Sequence, residues 1–360
     1  MNKKTVVCVF GTRPEAIKMV PVIRALQASN WASCKIVVTG QHRELLDQML
    51  AQFKIQVDHD LNLMQQGQNP NDLLAKMLPA LGHIFEKESA NIILGQGDTT
   101  TVLGAALAAF HKAIPYGHIE AGLRTYNLDH PYPEEGYRQM IARITRWHFA
   151  PTQRAVNALL AEGIEKEKIY LTGNTCIDTL LQTIEELGAV KQQEGRLLLL
   201  TAHRRENFGQ PIRNIFSAVR QLAETFNDLS VVYPVHPNPN VKELAHELLG
   251  GHPRIHLIEP LDYFAFISLM RQATLILTDS GGIQEEAPAL GKPVLILRNT
   301  TERPEAVESG VAKIAGTDTK NIIKQVSKLL NDDMAYNTMV KGISPFGDGD
   351  AGKRIVDALG

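Results

Sequence analysis

The sequence predicts an α/β chain built from two doubly wound, parallel-sheet domains in tandem. Three observations carry that reading. Short continuous apolar runs alternate with amphipathic helical stretches almost throughout, the pattern of strands covered on both faces by crossover helices. The chain has 360 residues, more than one hydrophobic core comfortably fills. The pattern also restarts after GAVKQQEG (188–195), where glycines bracket polar residues in the manner of an interdomain linker.

In the first half the expected strands are 5–10, 35–39, 91–94, 115–119, 148–150 and 169–171, with helices over 14–28, 43–53, 73–87, 102–112 and 153–162 between them. A further helix runs from just after Asn174 to about Leu187. The second half places strands at 196–200, 230–233, 255–258, 274–278 and 293–297, each followed by a helix or turn. Gly347 and Gly349 precede a short terminal helix over 353–359, expected to dock back across the first domain. The domains are accordingly set at 1–173, joined by 347–360, and at 174–346. In such sheets ligands bind beyond the carboxyl ends of the strands, so the cleft between two sheets is the expected site.

Composition narrows the partners. A hydrophobic content of 44% and a charged content of 21% are ordinary for a globular protein. A formal net charge of −2 gives no reason to expect nucleic acid or an anionic membrane. Cys8, Cys34 and Cys176 lie far apart, so we expect reduced thiols that serve as small packing groups. The apolar run at 5–10 is too short for a signal h-region and no segment reaches spanning length, which leads us to expect a cytoplasmic protein. The histidines are dispersed, and the spacing of His118 and Glu120 alone is a weak signal, so no metal is expected.

The chemistry concentrates at strand ends. In TDSGGIQEEAPALGKPVLILRNTTERPEA, a strand is followed by Ser280, Gly281 and Gly282 and then by a helix over 283–290. Glycines there let backbone N–H groups approach an anion, and the helix N-terminus adds its positive end. Glu285 and Glu286 lie one turn further on, within reach of a ribose hydroxyl; a tight turn with ordinary N-terminal acids is the plainer alternative. Arg303 follows the next strand and is expected on the same side. In GTRPEAIK, Arg13 and Lys18 flank a helix start, where an arginine fork and a lysine beside free N–H groups suit a phosphate or a carboxylate. An exposed, charged helix start reads equally well.

GQGDTTT puts Asp98 at a helix N-terminus, where an N-cap role accounts for Asp98 or Thr99 without any function. HIEAGLRT brings Glu120 off an apolar strand, with Ala121 and Gly122 leaving space around it. An acid in that position is costly unless paired or used. Glu134 and Glu135 of HPYPEEGYR open a helix, one of them explicable as a helix-dipole acid. Asp98, Glu120 and Glu134 are thus three carboxylates able to converge beside Arg13 and Lys18, an arrangement that supplies both an acid and a base. In the second half, TAHRRENFG places His203 at a strand end beside Arg204 and Arg205, and VHPNPN places His236, Asn238 and Asn240 in a rigid turn.

GTRPEAIK, TGQHRELLDQ, LGQGDTTT, HIEAGLRT, PEEGYR, LTGNTCID, HRREN, YPVHPNPN, LTDSGGIQEEAP and TTERPEAV, in this order, resemble the non-hydrolysing UDP-N-acetylglucosamine 2-epimerases of bacteria. The resemblance covers essentially the whole chain. It implies two Rossmann-like domains in a GT-B-like arrangement facing a central cleft, a homodimer, and interconversion of UDP-GlcNAc and UDP-ManNAc for cell-envelope polysaccharide synthesis. No cofactor is implied, in keeping with the absence of a GxGxxG fingerprint. Position by position it makes Asp98, Glu120 and Glu134 the essential acids, and Arg13, Lys18 and His203 neighbours of the diphosphate. Ser280, Gly281 and Gly282 become the phosphate loop, Glu286 the ribose acid, and Phe266 and Arg303 further nucleotide contacts. Gln41, Arg205 and His236 fall in motifs linked to a second, regulatory UDP-GlcNAc. Two positions depart from some members, Glu44 and Leu261, each standing where those members carry glutamine. A GT-B glycosyltransferase and a hydrolysing 2-epimerase are the rival readings; the three-acid set argues against the first.

Overall fold

The computed structural model describes residues 3–40, 43–63, 67–190, 194–342 and 344–360. The chain forms two compact units, Met1–Thr179 with Phe346–Gly360, and Leu180–Pro345. Unit 1 runs β1 (Lys4–Phe10), α1 (Arg13–Ala28), β2 (Ala32–Val38), α2 (Arg43–Gln52), β3 (His59–Asp60), α3 (Pro70–Lys87), β4 (Ile92–Gln96), α4 (Thr100–His111), β5 (Tyr116–Ile119), α5 (Glu134–Ile144), β6 (Trp147–Ala150), α6 (Gln153–Ala161) and β7 (Ile169–Leu171). Helix α7 (Thr175–Leu187) carries the chain into unit 2. There follow β8 (Arg196–Thr201), α8 (Gln210–Thr225), β9 (Leu229–Pro234), α9 (Pro239–Leu249), β10 (Ile255–Ile258), α10 (Tyr263–Gln272), β11 (Leu275–Thr278), α11 (Gly281–Ala289), β12 (Val294–Ile296), α12 (Pro304–Glu308), β13 (Ala312–Ile314), α13 (Thr319–Asn331) and α14 (Asp333–Val340). Helix α15 (Ala351–Leu359) returns to unit 1.

Unit 1 holds a seven-stranded parallel sheet in the order β3-β2-β1-β4-β5-β6-β7. Its core lies between β1, β4 and the apolar faces of α3 and α4, where Val7, Val9, Ile93, Met77, Phe85, Val102 and Ala106 are buried. Unit 2 holds a six-stranded parallel sheet, β10-β9-β8-β11-β12-β13. Leu198, Leu200, Phe216, Val219, Leu277 and Val326 are buried in its core. Both units are Rossmann-like. Each strand order reverses once, at β1/β4 and at β8/β11, and these are the switch points where such sheets leave a crevice for ligands.

Two strands escaped the sequence reading, β3 and β13. Both are short sheet-edge strands without an apolar run, and pairing with the neighbouring strand, β2 or β12, is what makes them strands. Strand β2 begins at Ala32, ahead of the expected 35–39, because Lys4 to Phe10 of β1 pair along its whole length. Part of the segment read as a linker, 191–193, lies outside the described residues. Helix α15 packs on α1 closely enough that a Cβ on Gly352 would come within 2.9 Å of the Pro21 backbone. Asp178 accepts the Gly352 N–H at 2.7 Å and so caps that helix.

Candidate active site

In unit 1 the switch-point loops carry the charged groups. Thr12 caps α1, and Glu15 completes a capping box: its Oε2 accepts the N–H groups of Gly11 (2.8 Å) and Thr12 (2.7 Å). The expectation of free N–H groups beside Arg13 is therefore corrected. Glu15, itself buried, fills that turn, and the spacing Thr12 to Glu15 was the readable signal. Arg13 is half-buried, with no hydrogen bond or ion pair among the described residues. Lys18, one turn further along α1, pairs with Glu120 Oε1 at 2.5 Å.

Glu120 follows β5 in the left-handed region, at φ 65°. That conformation costs a non-glycine residue about 1 kcal/mol or more and persists where surrounding contacts over-determine it. The contacts are present: besides Lys18, Gln96 at the end of β4 donates to Oε2, and Asn174 Nδ2 donates to Oε1 at 2.9 Å. The space expected beside Gly122 does not exist. Gly122 has φ 90°, and a Cβ there would sit 2.4 Å from the Ala155 carbonyl, so this glycine serves the packing of α6.

Asp98 follows β4, but the helix cap is Thr99, whose hydroxyl accepts the Val102 N–H. Asp98 instead takes a two-pronged approach from Arg138, with Nε at 2.8 Å and Nη2 at 2.7 Å from Oδ2. Arg138 lies one turn after Glu134 on α5 and also meets Glu135 at 3.3 Å. The two acids that open α5 divide sharply. Glu135 is buried; although burial pushes its carboxyl up, donors from Gln139, Thr125 and Tyr126 outweigh that and leave it lowered. It is the structural acid. Glu134 keeps a buried Oε2 with no hydrogen-bond partner among the described residues. The carboxyl ends of β4 and β5 thus carry Asp98 paired with Arg138 and Glu120 paired with Lys18, while Arg13 opens α1 after β1 and Glu134 opens α5. Behind them His118 donates from Nε2 to the Gly97 carbonyl at 2.7 Å, since a carbonyl can only accept. Burial pushes this imidazole down to about 4, so it is neutral.

In unit 2 the glycine turn differs from its expected form. Gly281 and Gly282 belong to the first turn of α11, and neither has positive φ. They are therefore not there for backbone freedom. A Cβ on Gly282 would meet nothing within 4 Å, so the helix start presents bare backbone to open space. The Arg204 guanidinium flanks it, 3.8 Å from where a Cβ on Gly281 would lie. Both acids of α11 are buried and already engaged: Glu286 accepts the Tyr263 hydroxyl at 2.9 Å, and Glu285 pairs with Arg303. Arg303 thus reaches α11, as its position in the sequence suggested. Phe266 is half-buried on α10.

His203 follows β8, and Asp279, fully buried at the end of β11, organises its loop. Asp279 Oδ2 accepts the N–H groups of His203 and Arg204, each at 2.8 Å, while Oδ1 lies 3.5 Å from His203 Nδ1. His203 stacks on His236 with ring centroids 5.2 Å apart and planes 8° apart. Burial holds the His203 imidazole below its ordinary value; Asp279 opposes the shift, and His236 and Arg204 add to it. Arg205 is exposed in a short 3-10 turn, and Gln41 lies outside the described residues. Sequence reasoning missed Glu15, Arg138, Asn174 and Asp279. All four act through contacts to groups distant in the chain.

A chain of two Rossmann-like units, with acids and cations at one switch point and an open helix N-terminus beside a histidine at the other, is of the nucleotide-binding α/β class. The family model for UDP-N-acetylglucosamine 2-epimerase matches residues 24–360. The chain is 48% identical to the UDP-N-acetylglucosamine 2-epimerase of Bacillus subtilis, over 100% of this chain and 96% of that one. It superposes on the UDP-GlcNAc 2-epimerase of Neisseria meningitidis bound to UDP-GlcNAc with a TM-score of 0.93, at 46% identity and 99% coverage of both. The enzyme of Methanocaldococcus jannaschii in complex with UDP-GlcNAc and UDP gives a TM-score of 0.81 at 34% identity, again with 99% of both chains covered. The chain belongs to the UDP-N-acetylglucosamine 2-epimerase family.

Proposed function

We propose that this protein interconverts UDP-GlcNAc and UDP-ManNAc without hydrolysing either. The observation that carries the proposal is the full-length match to enzymes named UDP-N-acetylglucosamine 2-epimerase, joined to an acid-rich switch point in unit 1. The hydrogen on carbon 2 of the sugar has no adjacent carbonyl to acidify it, so direct exchange is disfavoured. Instead the bond from carbon 1 to the diphosphate oxygen breaks while a carboxylate takes the carbon 2 proton, leaving an enzyme-held glycal and UDP. A second carboxylic acid protonates carbon 2 from the opposite face, and the diphosphate oxygen re-attacks carbon 1. Asp98, Glu120 and Glu134 are the candidate proton carriers.

Within unit 1, Arg13 and Lys18 are the candidates to balance diphosphate charge; within unit 2, the N-terminus of α11 with Ser280, Gly281 and Gly282 is the candidate anion site. Glu286 and Phe266 attend the nucleoside, and Arg303 supports them through Glu285. His203, held neutral by burial and oriented by Asp279, is suited to donate a hydrogen bond to the leaving diphosphate. The family reading extends to a homodimer, a cytoplasmic location, and regulation by a second UDP-GlcNAc at Gln41, Arg205 and His236. No described helix is long and apolar enough to cross a membrane.

Proton NMR of UDP-GlcNAc with the protein in heavy water tests the reaction. We expect intact UDP-ManNAc and UDP-GlcNAc, both deuterated at carbon 2. Free ManNAc with UDP would instead indicate the hydrolysing chemistry, and no change without an acceptor sugar would favour a transferase.

A further inference from the structure

We propose that Glu15 is a positioning residue of this active site, one buried carboxylate that locks the loop bearing Arg13 to the loop bearing Asp98. The inference rests on the epimerase reading above. Glu15 Oε2 holds Gly11 and Thr12, the two residues before Arg13, while Oε1 accepts the hydroxyl of Thr99, the residue after Asp98, at 2.5 Å. The loops follow β1 and β4, adjacent strands at the switch point of unit 1. A helix cap alone explains only the bond to Thr12. It requires neither the Gly11 bond, nor the Thr99 donor, nor a carboxylate only 3% exposed.

Burying a carboxylate is unfavourable unless hydrogen bonds repay it, and here three donors surround one group. Burial raises the Glu15 carboxyl, and those donors offset only part of the rise. Arg13 faces the diphosphate in our reading and Asp98 the sugar. Loss of the lock therefore displaces both at once, a signature that a residue attached to one loop would not give.

The test compares Glu15→Gln, Glu15→Ala, Thr99→Ser and Thr99→Ala with the unaltered protein. It reads kcat and KM for UDP-GlcNAc, UDP affinity by calorimetry, and the folded fraction by circular dichroism. Glutamine retains an oxygen for the two N–H groups and turns its amide N–H to the Thr99 hydroxyl oxygen, which then accepts, and serine retains the hydroxyl; both variants keep the link between the loops and are expected within about threefold of the unaltered enzyme. Glu15→Ala is expected to lose about 100-fold in kcat per folded molecule, with UDP bound about tenfold more weakly, as angstrom-scale misplacement produces. If Glu15→Ala does not fold, Thr99→Ala decides: a tenfold or larger fall in kcat, rescued by serine, is expected at about that scale. A folded alanine variant with kcat and UDP affinity both near the unaltered values would overturn the proposal. So would a variant that loses thermal stability alone. An unaltered protein without turnover would overturn the epimerase reading, and this inference with it.

Discussion

Glu120 concentrates the residue-scale argument. A carboxylate in a left-handed backbone, gripped by Lys18, Gln96 and Asn174, is held in one orientation by groups from three separate segments. Replacing it with glutamine preserves shape and removes the proton-carrying group. We expect Glu120→Gln to lower kcat by about 100-fold or more, the usual contribution of a positioned acid or base. UDP affinity should change far less than turnover, because in the proposed reading the start of α11 anchors the diphosphate; calorimetry alongside NMR-detected turnover separates the two effects. Arg13 is the converse case. Its guanidinium has no partner of its own among the described residues, so Arg13→Ala should weaken UDP binding about tenfold, the scale of one charge-assisted hydrogen bond. Unchanged affinity would remove Arg13 from the diphosphate site. The candidate acids were legible from strand ends, yet their roles were not: only the contacts show that Glu135 is spent on Thr125, Tyr126 and Gln139 while Glu134 is not.

Among the elements, α11 invites the cleanest experiment. Gly282 has helical geometry and open space where a side chain would go, so Gly282→Ala introduces no clash in the protein itself. Alanine in place of glycine within a helix adds about 0.5 to 1 kcal/mol. We therefore expect a melting temperature equal or higher, with UDP affinity reduced about tenfold or more, because a methyl now covers the bare N–H groups of the first turn. Affinity equal to that of the unaltered protein would show that the diphosphate does not rest there. The loop after β1 in unit 1 shows why glycine alone is a poor guide. Gly11 also follows a strand, yet Glu15 already occupies its N–H, and the capping-box spacing of Thr12 and Glu15 is the feature of the sequence that tells the two loops apart.

At the scale of the whole molecule, buried histidines set a pH signature. His118 sits at about 4 and His148 at about 3, both lowered first of all by burial. A folded pKa below the unfolded value means that the native state binds fewer protons. Their stabilising contribution is therefore complete above the ordinary value of 6.5, and His118's is lost as pH falls from there through about 4. Asp178, raised to about 6 by burial, acts in the other direction: its contribution is present below its ordinary 3.8 and is lost as pH rises through about 6. Urea titrations of the unaltered protein and of His118→Gln, each at pH 7 and pH 5, isolate the histidine. The unaltered protein should lose about 2 kcal/mol more than the variant over that interval. Equal losses would mean that His118 protonates in the folded state without penalty.

Local pattern is enough to dictate that this chain forms two parallel sheets clad in helices, and where their strand ends present acids, glycines and a histidine. Apolar runs, helical periodicity and capping residues are each written within about 20 residues. The family is equally legible there, because the motifs recur in order along the whole chain. Which side chains meet is settled by the packed fold. Lys18 reaches Glu120 across 102 positions, Glu15 reaches Thr99 across 84, and Asp279 organises the His203 loop from 76 away. Each pairing depends on which strands become neighbours in a sheet. Sheet order follows from the packing of all the helices at once, and no stretch of local pattern encodes it.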